Sequence, residues 1–311
     1  MPIEIAYGIL LIDGGGTKTR FCLADGKGKI LHSYQTTGVS YRQYSIDTVR
    51  ARLLEGTKQC LSPEGITVHA LSAVCMGYPC YGESEAQDEV LKRHVQLLFA
   101  PVPVLVVNDV EIAWTGALDG EPGVHVVCGT GSIAFGGNAA GETARCGGWL
   151  DYFSDEGSGY WLGRKAMQLF SQQADGREGK GPLYKILYRQ LGLHDDISFI
   201  DRMAQDYIPY RDRVASLQLC LLEAARAGDI TAQGAYAQAV NELARLVKTL
   251  MDRLNLPRGC AVTYSGSLFK AQDWILSPFK TAVAALGGIV IPPRKEPVEG
   301  AIRLIMKEKQ K

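Results

Sequence analysis

The sequence lacks an excess of charge of either sign. Its 33 basic and 33 acidic side chains cancel over 311 residues, and neither sign forms a long run. Nucleic acids and anionic membrane surfaces attract proteins through basic patches, so this balance argues against both kinds of partner. We therefore expect the ligand to be a small molecule.

Long apolar runs are also missing. No stretch approaches the roughly 20 apolar residues that a membrane-spanning helix needs, and the first residues lack the cationic flank and apolar core of a signal peptide. Among the eight cysteines one close pair, Cys75 and Cys80, has no second pair at a zinc-type spacing. We interpret the cysteines as reduced, buried thiols and predict a cytoplasmic protein.

Three catalytic motifs are absent as well. The sequence contains no H-E-x-x-H pair, no G-x-S-x-G elbow and no Walker A loop. These absences argue against metalloproteases, α/β-hydrolases and P-loop nucleotidases.

An apolar run over residues 105–107 ends on Asn108 and Asp109, and helix-like sequence follows directly. A buried parallel strand has this kind of sequence, and ligands of open α/β sheets bind at the carboxyl ends of such strands. We therefore place the chemistry at Asp109. A helix N-cap explains the same aspartate equally well, because Asp is favoured at that position.

Two glycine-rich turns flank Asp109 in sequence, each directly after an apolar run. Glycine lets the backbone approach a phosphate closely and adopt positive φ, so that several N–H groups converge on the anion. The paired turns predict a phosphoryl-transfer site, whereas a tight hairpin explains either turn alone. The predicted phosphate-binding residues are Gly14, Gly15, Gly16, Thr17, Lys18, Gly129, Thr130, Gly131 and Ser132.

Two further acids suit the same chemistry. Asp13 closes the first strand and is the candidate Mg²⁺ ligand, through water because Mg²⁺ gives up its hydration shell reluctantly. Asp155 follows Trp149 closely, and a carboxylate beside an aromatic ring suits hydrogen bonding and stacking on a sugar. A capped helix start over residues 155–159 is the alternative interpretation of this segment.

Residue periodicity predicts an α/β chain whose first half reads β-β-β-α-β-α-β-α, with Ser45 as an N-cap, and whose second half begins with the same order. The turn-rich segment 120–123 predicts a boundary between domains 1–119 and 120–311. The second domain carries a helical insertion over about 156–255, and its last helix, about 298–307, is a candidate to pack back on the first domain. An apolar stripe over 240–254 is core or a homodimer interface.

Several motifs, in chain order, resemble the N-acetylglucosamine kinase and BadF/BadG/BcrA/BcrD-type ATPase family. They are residues 12–19, Asn108 with Asp109, and residues 129–133, 147–149, 155–159, 265–268 and 297–301. The resemblance implies two ribonuclease-H-like (actin-like ATPase) domains with a central cleft, and ATP and Mg²⁺ as cofactors. It also implies Asp13 for Mg²⁺, Asp109 as base, and the two glycine turns for the phosphates. Its other assignments are Asn108, Gly148, Trp149 and Asp155 for the sugar, and Ser265, Gly266 and Ser267 for the nucleoside.

One segment departs from the family. After Gly38, where the family kinases carry an Asn that contacts the sugar, this chain reads Val39-Ser40-Tyr41-Arg42. Ser40 and Arg42 are therefore candidate substrate residues. Arg42 suggests a sugar with a carboxylate, such as N-acetylmuramic acid, because guanidinium pairs well with carboxylates; a solvent-exposed arginine is the alternative.

The function expected from these residues and the resemblance is an ATP-dependent amino-sugar kinase. The acceptor is N-acetylglucosamine or a relative such as glucosamine or N-acetylmuramic acid, and the resemblance points to its 6-hydroxyl. Two alternatives stay open: an activator ATPase of the 2-hydroxyacyl-CoA dehydratase type, and a non-catalytic sugar sensor.

Overall fold

The computed structural model of the chain describes residues 8–308. The described residues do not include 1–7 and 309–311. The expectation that the chain has no signal peptide rests on the first of these ranges. The chain divides into two compact units: unit 1 comprises Met1–Glu121 with Pro293–Lys311, and unit 2 comprises Pro122–Pro292.

The strands and helices are numbered in chain order. The strands are β1 (Gly8–Gly14), β2 (Lys18–Ala24), β3 (Ile30–Thr37), β4 (Leu71–Tyr78), β5 (Val104–Asn108), β6 (Gly123–Cys128), β7 (Ser132–Gly137), β8 (Thr143–Gly147), β9 (Ala261–Ser265) and β10 (Ile289–Val290). The helices are α1 (Ile46–Leu61), α2 (Glu85–Phe99), α3 (Asp109–Leu118), α4 (Gly159–Ala174), α5 (Pro182–Leu191), α6 (Ser198–Asp206), α7 (Arg211–Ser216), α8 (Gln218–Arg226), α9 (Ile230–Arg253), α10 (Ser277–Leu286) and α11 (Pro297–Glu308).

Both units contain a five-stranded mixed sheet with the same strand order. In unit 1 the order is β3-β2-β1-β4-β5, and in unit 2, read from the matching edge, it is β8-β7-β6-β9-β10. In each sheet the first three strands in sequence are antiparallel neighbours, and the last two join parallel to the first. The predicted α/β fold class and the repeated motif order are confirmed.

The central strand β1 shows why the sequence folds this way. Residues 9–12 are apolar without alternation and have no exposed surface, because helices cover both faces of the sheet. Ser45 caps α1 as predicted, since its hydroxyl accepts a hydrogen bond from the Thr48 N–H.

Helix α11 belongs to unit 1 because it packs against α3 at very short range. A Cβ at Gly300 would lie 2.1 Å from the Ile112 carbonyl oxygen, and one at Gly116 would lie 2.4 Å from the Glu296 carbonyl oxygen. The second unit therefore ends at Pro292, whereas the domain predicted from the sequence runs over 120–311.

Helix α9 contributes its apolar stripe to the core of unit 2. Val240, Leu243, Val247 and Leu250 are at most 4% exposed there, so the stripe is core. Across residues 8–308, no helix combines the length and the apolar character needed to cross a bilayer. All eight cysteines are free thiols, five of them buried.

Candidate active site

Asp109 is the first residue of α3 and follows the last residue of β5 directly. The side-chain oxygen of Asn108 accepts a hydrogen bond from the Val110 N–H at 2.9 Å, and its amide donates to the Tyr81 carbonyl at 2.6 Å. Asn108 is therefore the N-cap of α3. The alternative that Asp109 is the N-cap is wrong.

The Asp109 carboxyl lies in an electrostatic setting that opposes its ionisation. Burial, followed by the negative charge of Asp13, raises the pKa of Asp109 to about 7. Burial also raises the pKa of Asp13 to about 6, although the nearby cations Lys18 and Arg20 pull it down. Both side chains are half-buried by accessible surface, so solvent still reaches them.

This pair of acids suits a divalent cation. Within residues 8–308, no group of three or more His, Cys, Asp or Glu side chains could enclose a metal. Mg²⁺ is usually held by one or two carboxylates together with waters and substrate phosphates, and it does not need a protein cage. Asp13 would hold the ion, and the added positive charge would relieve the repulsion from Asp109.

The first glycine turn connects β1 to β2 and is closed by backbone hydrogen bonds. The Gly15 N–H donates to Lys18 O at 3.0 Å, and the Gly38 N–H donates to Thr17 O at 2.9 Å. A Cβ at Gly38 would lie 2.0 Å from Gly16 O, so the chain after β3 presses directly on the turn. Thr17 and Lys18 are exposed at its tip.

Residues 39–42, the segment that departs from the family pattern, lie in unit 1. Ser40 is 3% exposed, and its hydroxyl accepts a hydrogen bond from the Arg42 N–H. The Arg42 Nε and Nη2 groups donate to one carboxylate oxygen of Glu83, at 3.1 and 2.9 Å. Arg42 is thus paired within unit 1, with 38% of its side chain exposed.

The second glycine turn connects β6 to β7 in unit 2 and lies against the start of α4. The carbonyls of Gly129 and Thr130 accept hydrogen bonds from the N–H groups of Gly159 and Tyr160, at 2.8 and 3.0 Å. Ser158 is the N-cap of α4. The segment 155–159 therefore does start a helix, and Asp155 is left for another role.

Asp155 lies directly beside this turn. It is 5% exposed and has a positive φ of 61°. One carboxylate oxygen accepts a hydrogen bond from the Ser132 N–H at 3.1 Å, and the other accepts one from Arg211 Nη2. Burial raises the pKa of Asp155, while the Arg211 charge and the Ser132 N–H act in the opposite direction. Arg211, 56 residues further along the chain in α7, has no sequence motif that could have marked it.

The two other predicted sugar residues lie in the loop after β8. Gly148 has a φ of 65°, and a Cβ there would lie 2.6 Å from the Ile133 side chain. Trp149 is 67% exposed, with the Arg145 guanidinium 5.9 Å from its ring centroid. Its indole ring is therefore open to stacking by a ligand.

The third turn, at residues 265–267, lies against the second within unit 2. A Cβ at Gly266 would lie 2.1 Å from Cys128 O, and Ser267 Oγ lies 3.9 Å from the place a Cβ would take at Gly129. Gly266 and Ser267 are exposed.

Ser265 faces the sheet instead, where its hydroxyl lies 2.9 Å from Nε2 of the buried His125. Thr263 contacts the other ring nitrogen at 2.9 Å, and burial lowers the pKa of His125 to about 3. No sequence pattern marked His125 as part of this site, since the histidines show no metal-type spacing.

The fold of the chain matches solved structures along almost its whole length. A Chromobacterium violaceum protein proposed to be an N-acetylglucosamine kinase matches with a TM-score of 0.79 at 24% identity, covering 97% of this chain and 100% of that one. A Streptomyces griseus ROK family glucokinase, solved with glucose and AMPPNP, matches with a TM-score of 0.60 at 17% identity, covering 96% and 98%. These likenesses show that the chain shares the two-domain fold of these two proteins.

The chain belongs to the BadF/BadG/BcrA/BcrD ATPase family, whose sequence profile matches residues 11–302. The N-acetylmuramic acid/N-acetylglucosamine kinase of Clostridium acetobutylicum is 28% identical over 277 residues, which is 88% of this chain and 89% of the relative. The N-acetyl-D-glucosamine kinase of Dictyostelium discoideum is 29% identical over 266 residues, or 83% and 82%. The family resemblance stated from the sequence is confirmed.

Proposed function

We propose that the protein is an ATP-dependent amino-sugar kinase of the cytoplasm. It transfers the γ-phosphoryl group to a hydroxyl, expected to be the 6-hydroxyl, of N-acetylglucosamine or a relative such as glucosamine or N-acetylmuramic acid. The observation that carries the proposal is the placement of Asp109 at the end of β5, with a carboxyl pKa of about 7. The substrates of the two curated relatives support an amino sugar as acceptor.

Asp109 is the general base in this mechanism. A base works best when its pKa lies near the operating pH, since it must be ionised and still attract a proton. The pKa of about 7 meets both conditions. Because Asn108 caps α3, the Asp109 carboxylate is left to accept the proton of the sugar hydroxyl.

The phosphates are assigned to the two glycine turns, where N–H groups can converge on an anion without an intervening Cβ. Thr17, Lys18 and Thr130 add side-chain donors, whereas the buried Ser132 hydroxyl already donates to the Glu156 carbonyl at 2.8 Å. The exposed pair Gly266 and Ser267 takes the nucleoside. Mg²⁺, when bound, would neutralise charge on the phosphoryl oxygens. Asp13 would hold the ion through water.

The acceptor sugar is assigned to Trp149, Gly148 and Asp155, with Asn108 and Asp109 at the reacting hydroxyl. The exposed indole of Trp149 offers a stacking surface. Ser40 and Arg42 are assigned to discrimination among amino sugars. Because Arg42 is already paired with Glu83, a sugar carboxylate would have to compete for it or share it.

The first experiment measures ADP release with Mg-ATP and a panel of N-acetylglucosamine, glucosamine, N-acetylmuramic acid, N-acetylmannosamine and glucose. We expect turnover on one or two amino sugars and a loss in Asp109→Asn of about 100-fold or more in kcat, with little change in the KM for ATP. Asp47→Asn is the matched control, because Asp47 is an exposed acid in the first turn of α1. Phosphorus NMR of the product identifies the acceptor hydroxyl.

Three outcomes would contradict the proposal. Full activity in Asp109→Asn would show that Asp109 is not the general base. Tight sugar binding without turnover would favour the sensor, while ATP hydrolysis indifferent to every sugar would favour the activator ATPase.

A further inference from the structure

Arg211 is the one cation that reaches both the second glycine turn and Asp155 among the contacts of residues 8–308. We infer that Arg211 is a positioning residue for the acceptor sugar, holding Asp155 in place and ionised. The inference rests on the proposed function, in which Asp155 binds the sugar.

The geometry places Arg211 between two acids. Its Nη2 donates to Asp155, and its Nε lies 3.1 Å from a carboxylate oxygen of Asp151. Within the described part of the chain, Arg211 Nε donates no hydrogen bond, so Asp151 is an ion-pair partner only. The hydrogen bond from Nη2 to Asp155 is therefore the directional contact of this side chain, and the planar guanidinium fixes its angle more tightly than a lysine ammonium would.

The glycine turn is shaped to admit this guanidinium. A Cβ at Gly131 would lie 2.7 Å from Arg211 Nη2 and 2.8 Å from the nearer Asp155 oxygen. The Ser132 N–H, in the same turn, binds the other oxygen of Asp155. Arg211, Asp155 and the turn thus form one connected network within unit 2.

Asp155 needs this support because it is almost fully buried. An ionised carboxylate in such a place is costly unless a cation and hydrogen-bond donors compensate it. A carboxylate has about four acceptor sites, and Arg211 and Ser132 use two of them. The remaining sites can accept hydrogen bonds from sugar hydroxyls.

The experiment compares Arg211→Met with Arg213→Met in steady-state kinetics. Arg213 is an exposed arginine of the same helix, and its guanidinium contacts Asp206 O and the Tyr210 ring. We expect Arg211→Met to raise the KM for the sugar about 10- to 100-fold, the cost of losing a charged hydrogen bond, and to leave the KM for ATP within about threefold. Arg213→Met should behave as wild type, and Arg211→Lys should recover part of the loss by restoring the charge.

A pH series separates positioning from a merely structural role. The charged and titratable groups around Asp155 are Arg211 of α7, Asp151 of the loop after β8 and the buried Cys128 of β6. Sugar binding is measured by calorimetry in an Asp109→Asn background, which removes the titration of that acid. Adding Arg211→Met should raise the pKa of Asp155, so that sugar affinity starts to fall at a higher pH than in the Arg211 parent.

The outcomes distinguish the two proposals. If wild type phosphorylates no sugar of the panel, the proposed function fails and this inference fails with it. If wild type is active and Arg211→Met keeps the wild-type KM for the sugar, or shows an unchanged pH series, Arg211 has no positioning role while the kinase proposal stands. Equal rises in both KM values would also overturn the inference, because they would indicate general disruption.

Discussion

At the residue scale, the raised pKa that suits Asp109 as the proposed base also has a cost in stability. Its carboxyl has a folded-state pKa of about 7 against a reference of 3.8, so the folded protein binds this proton more tightly than the unfolded chain does. The stabilising contribution is complete below the unfolded pKa and is lost as pH rises through the folded pKa. At neutral pH the site therefore carries a partly buried charge that folding alone would not select.

Asp109→Asn should consequently gain stability relative to wild type as pH rises. We expect the difference in unfolding free energy between the two proteins to grow by about 1 to 2 kcal/mol from pH 5 to pH 8, below the full shift because solvent reaches the side chain. Urea unfolding at both pH values measures it. A constant difference between the two pH values would show that the pKa of Asp109 is not raised.

Single residues also show which features of the site could be predicted from the sequence. The position of Asp109 was predictable because an apolar run ends there. The choice of Asn108 as N-cap was not, since both residue types cap helices well and only the fold decides between them. The contacts of Arg211 and His125 could not be predicted from the sequence. Their partners lie far away along the chain and are brought close only by the tertiary structure.

At the element scale, the turn at 265–267 lies against the end of β6. Gly266 has a φ of 106°, and a Cβ there would lie 2.1 Å from the backbone of Cys128. A side chain would thus be strained and would also push the third turn away from the second. The second turn was predictable because glycines follow an apolar run, and residues 265–267 were singled out by the family resemblance. Their contact was not predictable, because a helical segment of about a hundred residues separates the two turns in sequence.

Gly266→Ala tests this contact. We expect it to lower the melting temperature and to raise the KM for ATP about tenfold or more, equivalent to about 1.4 kcal/mol, with a smaller change in the KM for the sugar. Gly259→Ala is the matched control, because Gly259 also has positive φ, 84°, yet a Cβ there meets no atom within 4 Å. Equal effects of the two substitutions would mean that backbone strain, and not the close approach, governs the result.

At the scale of the whole molecule, α11 joins the end of the chain to the unit that contains its beginning. Its buried residues Val298, Ala301 and Ile305 pack with Ile9 and Leu11 of β1 in one core. A helix over about 298–307 was predicted from the sequence as a candidate to pack back on the first domain. Its partner strand was not predictable, since any exposed apolar sheet face would suit an amphipathic helix equally well.

Ile305→Ala should therefore destabilise unit 1 selectively. Removing a side chain that is 5% exposed costs about 2 to 4 kcal/mol through lost burial and the remaining cavity. Hydrogen exchange followed by mass spectrometry reads each unit separately: we expect faster exchange in β1 and β4, which α11 covers, and unchanged exchange in α9 of unit 2. Lys307→Ala, an exposed position on the same helix, provides the control. Faster exchange in α9 to the same extent would show that the two units unfold as one, and no change in β1 would show that α11 does not stabilise the first sheet.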